Sequence, residues 1–329
     1  MAKMKQRVIG LVGIVSRMAN WNADFTGHPK TTSDGNIFGS DKALKYSMKR
    51  LWELNGEKVL YIRSYKLDKG GEKLQPRTLQ ERYQQLFNQS VDKNSVTVLK
   101  HLFSCVDVMN FGATFAVAGQ NIGLTGVVQI GQGFNKYEDA NVEVQDILSP
   151  VLNPNDKKKK QQNDEDNKSK EDEQDKYATS IGKKITVNEA HYIYPFTVNP
   201  NHYDNYAGLP GLAEFEGYTT EAYAAFKEGA LLGATALQTN SKSGSENAFS
   251  LFIVMKEGSL AYLPNLDPYV TVYKQDNKTV YDLTALEPIL AGSREQIAQI
   301  ELYLNPYTTE VRLAAEGLGC YNLITRAVL

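Results

Sequence analysis

The sequence has few cysteines, few histidines, no long apolar run and no excess of either charge. Its two cysteines, Cys105 and Cys320, lie far apart in apolar surroundings, and neither belongs to a C-x-x-C pair. That argues against a structural zinc site. It predicts two buried, free thiols in a reducing, cytoplasmic setting. His28, His101, His191 and His202 have no H-x-x-x-H spacing, so no metal and no cofactor is expected. The start MAKMKQRVIGLVGIV is basic and then apolar, as a signal peptide is. The apolar run is short, Arg17 interrupts it and no small-residue cleavage site follows, so it reads as a first strand. No stretch is long enough to span a membrane.

Nucleotide and nucleophile signatures are also missing. VQIGQGFN lacks the Lys-Ser/Thr of a P-loop and the third glycine of a dinucleotide fingerprint, and SIGKKITV lacks the upstream glycine. There is no G-x-S-x-G elbow. Lys and Arg total 36 against 38 Asp and Glu, a net charge of −2. A nucleic acid would therefore have to be held by a local patch.

The 329 residues suffice for one large domain, and 19 tyrosines mildly favour a binding surface. Residues 7 to 16, RVIGLVGIVS, read as a buried central strand. A polar loop follows from Arg17 to Ser40, in which Trp21, Phe25 and Phe38 argue against disorder. A helix then opens at Ser40 or Asp41, carries an apolar stripe of Leu44, Met48, Leu51 and Trp52, and closes at Asn55-Gly56. KVLYIRSY, 58 to 65, alternates like a strand. Residues 78 to 103 form two helical segments. VDVMNFGATFAVAG reads as a strand, with GVVQIGQGF beside it.

The tract 156 to 176 holds seven lysines and eight acids without an apolar side chain, and predicts a mobile, solvated tip. VEVQDILSPVL and YATSIGKKITV flank it as the arms of a long hairpin. Beyond it come a strand in ITVNEAHYIYPFTVNP, a Thr-capped alanine-rich helix over 219 to 237, a buried strand in AFSLFIVMKE and a hairpin in QIELYLNPYTTEVRLA. Without the insertions the order is βαββαβ, an α+β ferredoxin-like or RNA-recognition-motif plan.

Lys42, Lys45 and Lys49 fall at i, i+3 and i+7 and share a helix face. Two sit in the first turns, where the helix dipole favours anions. A bound phosphate would reconcile the two; a solvated face is the simpler alternative. Arg50 and Lys58 lie close by. Arg17, Asn20 and Asn22 offer polar contacts from the preceding loop, or simply make turns. Asp24, Asp34 and Asp107 are the nearby acids, with no paired carboxylates.

Four stretches in fixed order carry a resemblance: WNADFTGHPKTTSDGNIFGSDKALKYSMKRLW, VDVMNFGATFAV, LTGVVQIGQGFN and ATSIGKKITVNEAHYIYPFTVNP. From about residue 7 to 315 the chain resembles CRISPR backbone subunits, a Csh-type member of the Cas-seven superfamily found in type I-B Cascade complexes. The resemblance implies a right-hand-shaped domain. Its palm would comprise 7–65, 105–133 and 186–315, with a helical finger-like insertion at 66–104 and a thumb hairpin at 134–185. Copies would polymerise along the CRISPR RNA and present the guide to target DNA, beside end-capping, large and small subunits. Ser40, Lys42, Lys45 and Lys49 would hold phosphates, aided by Arg17, Asn20, Asn22 and Arg50. Gln129, Gln132, Phe134 and Asn135 would line the palm-to-thumb region. Val151, Leu152 and Ile181 would wedge the RNA. Phosphate contacts then give grip and base pairing gives specificity, so a near-neutral subunit suffices. The protein itself would not be an enzyme. Two alternatives remain: a metal-dependent RNase using Asp24 or Asp34, as in type III relatives, and a ferredoxin-like domain of unrelated metabolic role.

Overall fold

The computed structural model describes residues 2–148 and 181–329. Strand β1 (Val8–Ala19) runs through the middle of a nine-stranded sheet. Its apolar run is continuous because both of its faces are covered. Val8, Val12 and Ile14 join the core under the long helices, while Leu11 and Val15 join a second core on the opposite face. After β1 come β2 (Phe38–Gly39) and helix α1 (Asp41–Leu54). A ribbon of β3 (Tyr65–Leu67) and β4 (Leu74–Pro76) leads to α2 (Leu79–Phe87), α3 (Ser95–Phe103) and α4 (Val106–Phe111). Strands β5 (Gly112–Phe115) and β6 (Ile122–Thr125) pair with each other. The chain then returns to the large sheet through β7 (Val128–Ile130), β8 (Gly133–Asn135), β9 (Val142–Leu148) and the long β10 (Ile181–Val198).

Helix α5 (Thr220–Ala236) follows, its first turn closed by the Thr219 side chain accepting from Ala222 N–H. Next come β11 (Ser245–Met255), β12 (Thr271–Gln275), β13 (Lys278–Asp282), the short α6 (Glu287–Gly292), β14 (Ile297–Leu304), β15 (Thr309–Arg312) and β16 (Leu318–Asn322). The large sheet runs β16-β14-β11-β1-β10-β8-β2, with β7 and β9 also on β10. Both neighbours of β1 are antiparallel to it. Helices α1 and α5 share one core with the sheet: Leu44, Met48 and Trp52 meet Phe226, Ala230 and Phe196. Their close approach needs small residues, since a methyl at Gly229 would lie 2.9 Å from Met48 Cγ.

The sequence reading holds for α1, α2, α3, α5, β11 and the β9–β10 hairpin arms. It needs correction in six places. Strand β1 extends to Ala19, so Arg17 lies in a strand and faces Glu189 across the ladder. Residues 58–64 contain no strand, because the N–H groups of Leu60 and Tyr61 bond the Asp107 carboxylate, each at 2.8 Å, instead of a neighbouring chain. The 106–119 stretch is helix α4 and then β5, split at Gly112 with φ +77°. GVVQIGQGF forms β7 and β8, which pair with β10 rather than with 106–119. The expected C-terminal hairpin does not form: β14 is flanked by β11 and β16, and β15 pairs in parallel with β13. Cys105 is buried as expected, whereas Cys320 is half-buried; neither is in a disulfide. The 156–176 tip and the wedge candidates Val151 and Leu152 lie outside the described residues. Ile181 opens β10 opposite Leu148.

Candidate nucleic-acid interface

The β1–α1 connection folds as two small loops, closed by the Ala23–Pro29 and Thr31–Ile37 bridges, because its Asn and Asp side chains satisfy the local backbone. Asp24 Oδ1 accepts from Thr26 N–H, Thr26 Oγ1 and His28 N–H at 2.8 to 3.0 Å. Asp34 accepts from Thr32 Oγ1 and, at 2.8 Å, from Asn36 Nδ2. These exposed carboxylates have lowered pKa values, chiefly because those side chains donate to them. Asn22 Oδ1 accepts from Ser40 N–H at 2.8 Å and so fastens the loops to the first turn of α1. Asn20 is buried; its Nδ2 donates to Gly27 O at 2.9 Å and to Ile185 O at 3.4 Å. It shapes the loop rather than facing solvent. At Gly39 a methyl would collide with the Tyr194 hydroxyl and the Trp21 ring, which keeps the chain pressed onto β10 as α1 begins.

The three lysines of α1 differ along the helix. Lys49 is the innermost. Its ammonium lies 3.7 Å from the buried Asp107 carboxylate, donates to Tyr61 O at 3.3 Å and sits over the Tyr61 and Phe111 rings. Burial lowers its pKa, against the pull of Asp107. Lys45 pairs with Asp41 at 3.0 Å and also lies over Phe111. Lys42 is exposed and has no ion pair among the described residues. Arg50 pairs with Glu53. Ser40 is the helix N-cap, but its side chain makes no capping bond. Asp41 occupies the first helical position, accepting weakly from Gln132 Nε2 at 3.4 Å. The cationic face thus grades from a locked inner end to an accessible outer end at the start of the helix.

Of the predicted palm residues, Gln132 and Phe134 join this corner. The Phe134 ring lies 6.0 Å from Phe38, across the β8–β2 pair. Asn135 is structural; it bonds the Tyr137 backbone and accepts from His191 N–H at 2.9 Å. Gln129 is remote. It stands opposite Thr197 and therefore near Ile9, whereas Arg17 stands opposite Glu189 at the other end of β1. That separation is roughly 25 Å along the strands. Gln129 donates to Gly126 O at 2.8 Å.

Arg17 is half-exposed and paired with two acids. It bonds Glu189 and Glu246, each at 3.0 Å. Glu189 also takes Lys274 at 2.6 Å and His191 Nε2 at 3.0 Å, and His191 Nδ1 faces the Tyr281 hydroxyl at 2.6 Å. Burial would raise Glu189, but the hydrogen bonds from His191 and Lys274 outweigh it and hold the carboxyl at about 2. Burial lowers His191, so the neutral ring donates through Nε2 and accepts from Tyr281 through Nδ1.

Sequence reading missed Lys242. Its ammonium donates to Trp21 O at 2.6 Å and Asn20 O at 3.3 Å, and it lies over the Trp21 ring. Burial lowers its pKa. It lines a cavity of about 500 Å³ formed by Thr235 to Ser245. The available signal was the antiparallel pairing. Because Ser245 opens β11 opposite Ser16, the polar LQTNSKSGS loop must arrive at the end of β1.

A chain of a solved structure titled "CRISPR RNA-guided surveillance complex, pre-nicking" has the same fold, with a TM-score of 0.55 at 13% identity over 96% of both chains. A chain of a second, titled "CRISPR RNA-guided surveillance complex", aligns at a TM-score of 0.45 and 14% identity, over 93% of this chain and 95% of that one. No curated protein matches the sequence. Residues 6–286 match the family described as CRISPR-associated protein Cas7, and the chain belongs to that family.

Proposed function

We propose that this protein is a non-enzymatic backbone subunit that binds CRISPR RNA. It repeats along the guide and presents it for pairing with target DNA. The observation that carries the reading is the outer end of α1. There Lys42, the Ser40 turn and the first N–H groups of the helix stand together, in a chain that matches the Cas7 family over 6–286. Backbone amides and a lysine at a helix start suit phosphate irrespective of sequence. Lys45 assists if phosphate displaces it from Asp41. Lys49, Asn20 and Asn22 support the site from behind.

The sheet order supports an RNA-recognition-motif reading of the core. Strand β11, β1, β10 and then β7 or β8 stand side by side, with α1 and α5 on one face, as βαββαβ requires. The second strand of that unit is β7 or β8, not residues 58–65. The β9–β10 arms support a thumb at 134–185, and α2 and α3 a finger at 66–104. A type I-B Cascade, with its end-capping, large and small subunits and neighbouring copies as partners, is the assembly we assign. In the nuclease alternative the candidates are Asp24 and Asp34, whose carboxylates accept hydrogen bonds from their own turns.

The test is purification from a host expressing a CRISPR array, followed by sizing and sequencing of bound RNA. A large, RNA-rich assembly carrying repeat-spacer RNA is expected. A nucleic-acid-free monomer that stays so when candidate partner subunits are added would overturn the reading.

A further inference from the structure

We infer that Phe25 stacks on an unpaired nucleobase of the nucleic acid that α1 holds; this rests on the proposed RNA-binding role. Phe25 is the most exposed large apolar side chain among the described residues, with its ring wholly in solvent. Its backbone is nevertheless fixed. Asp24 Oδ1 accepts from the N–H groups of Thr26 and His28, both just after it in the chain, Ala23 bridges Pro29 to close the loop, and Gly27 O is held by Asn20. A loop so firmly tied could have kept a polar tip at no loss of structure. A bare aromatic on a rigid mount is instead pre-organised for contact, since little freedom is lost when it docks.

Its position selects the partner. The loop that bears it is fastened to Ser40 N–H through Asn22 and to Ile185 O through Asn20, so the loop stands between the start of α1 and the base of the β9–β10 hairpin. A strand whose phosphate lies at Lys42 brings its bases to the same corner. Any base offers a flat face, so the contact adds grip without reading sequence. The base could belong to the guide RNA or to a paired target strand at an interruption in the duplex.

The experiment uses Phe25→Trp and Phe25→Ala in the full chain, freed of RNA. Both native tryptophans, Trp21 and Trp52, are buried, so wild-type emission supplies a steady background. Guide-length single-stranded RNA should quench the exposed indole of the Phe25→Trp variant. Phe25→Ala should weaken RNA binding about tenfold while leaving its salt dependence unchanged, because stacking releases no counterions. Quenching retained after a complementary DNA strand is added assigns the base to an interruption in the duplex; quenching lost on pairing assigns it to the free guide. RNA that binds without quenching, or a Phe25→Ala affinity equal to wild type, overturns the proposal and leaves the RNA-binding role intact. A shift of the introduced indole's emission on protein concentration alone, without RNA, would assign the ring to a neighbouring copy instead. Failure of the wild type to bind any RNA removes both readings.

Discussion

The two ends of the β1–α1 connection carry similar charge and use it oppositely. At its start, Arg17 is compensated on both sides by Glu189 and Glu246, and Glu189 is itself shared with Lys274 and His191. At its far end, the α1 lysines pass from Lys49, held over the buried Asp107, through Lys45, paired within its own helix, to the exposed Lys42. The first cluster ties β1, β10, β11 and β12 together. The second leaves its cation where a helix start can share an anion with it. Charge of the same sign thus does structural service where acids converge from neighbouring strands, and is available for binding where they do not.

The comparison can be broken most forcefully at Asp107. Asp107→Ala leaves Lys49 buried without its partner and strands the N–H groups of Leu60 and Tyr61. A loss of about 3–5 kcal/mol is expected in denaturant unfolding. Glu189→Gln comes next, at about 2 kcal/mol, since three donors lose their carboxylate. Because the Glu189 carboxyl is held at about 2, below its ordinary 4.5, its contribution is complete above pH 4.5 and disappears as pH falls through 2. Acid unfolding of Glu189→Gln should therefore lose part of the wild-type slope in that window.

These clusters mark the limit of what the sequence makes legible. Helices α1 and α5 are readable from their periodicity, and so is β1, because an apolar run in a doubly covered strand has only one simple reading. Residues 58–64 are not, since an alternating pattern cannot reveal that Asp107, almost fifty positions away, bonds their backbone in place of a strand. The end of β14 is not, because its period says nothing of which edges are already taken. The lysine stripe is legible as a stripe, but its gradation depends on α4 lying across it. Arg17 reads as a ligand until register sets Glu189 opposite.

Smaller effects sharpen the contrast. His191 is held below its ordinary 6.5 by burial, so the unfolded chain binds its proton first, and stability declines as pH drops below 6.5. His191→Gln should flatten that part of the stability curve. Lys49→Met should lower stability and leave the salt slope of RNA binding alone. Lys42→Ala should do the reverse, changing stability by less than about 0.5 kcal/mol.

The most direct test is equilibrium binding of a guide-length RNA to wild type and Lys42→Ala across a salt series. The account predicts weaker binding by Lys42→Ala and a salt slope smaller by about 0.7, the share of one phosphate contact on a single strand. Equal affinity and equal slope would contradict it and return α1 to the status of a solvated helix face.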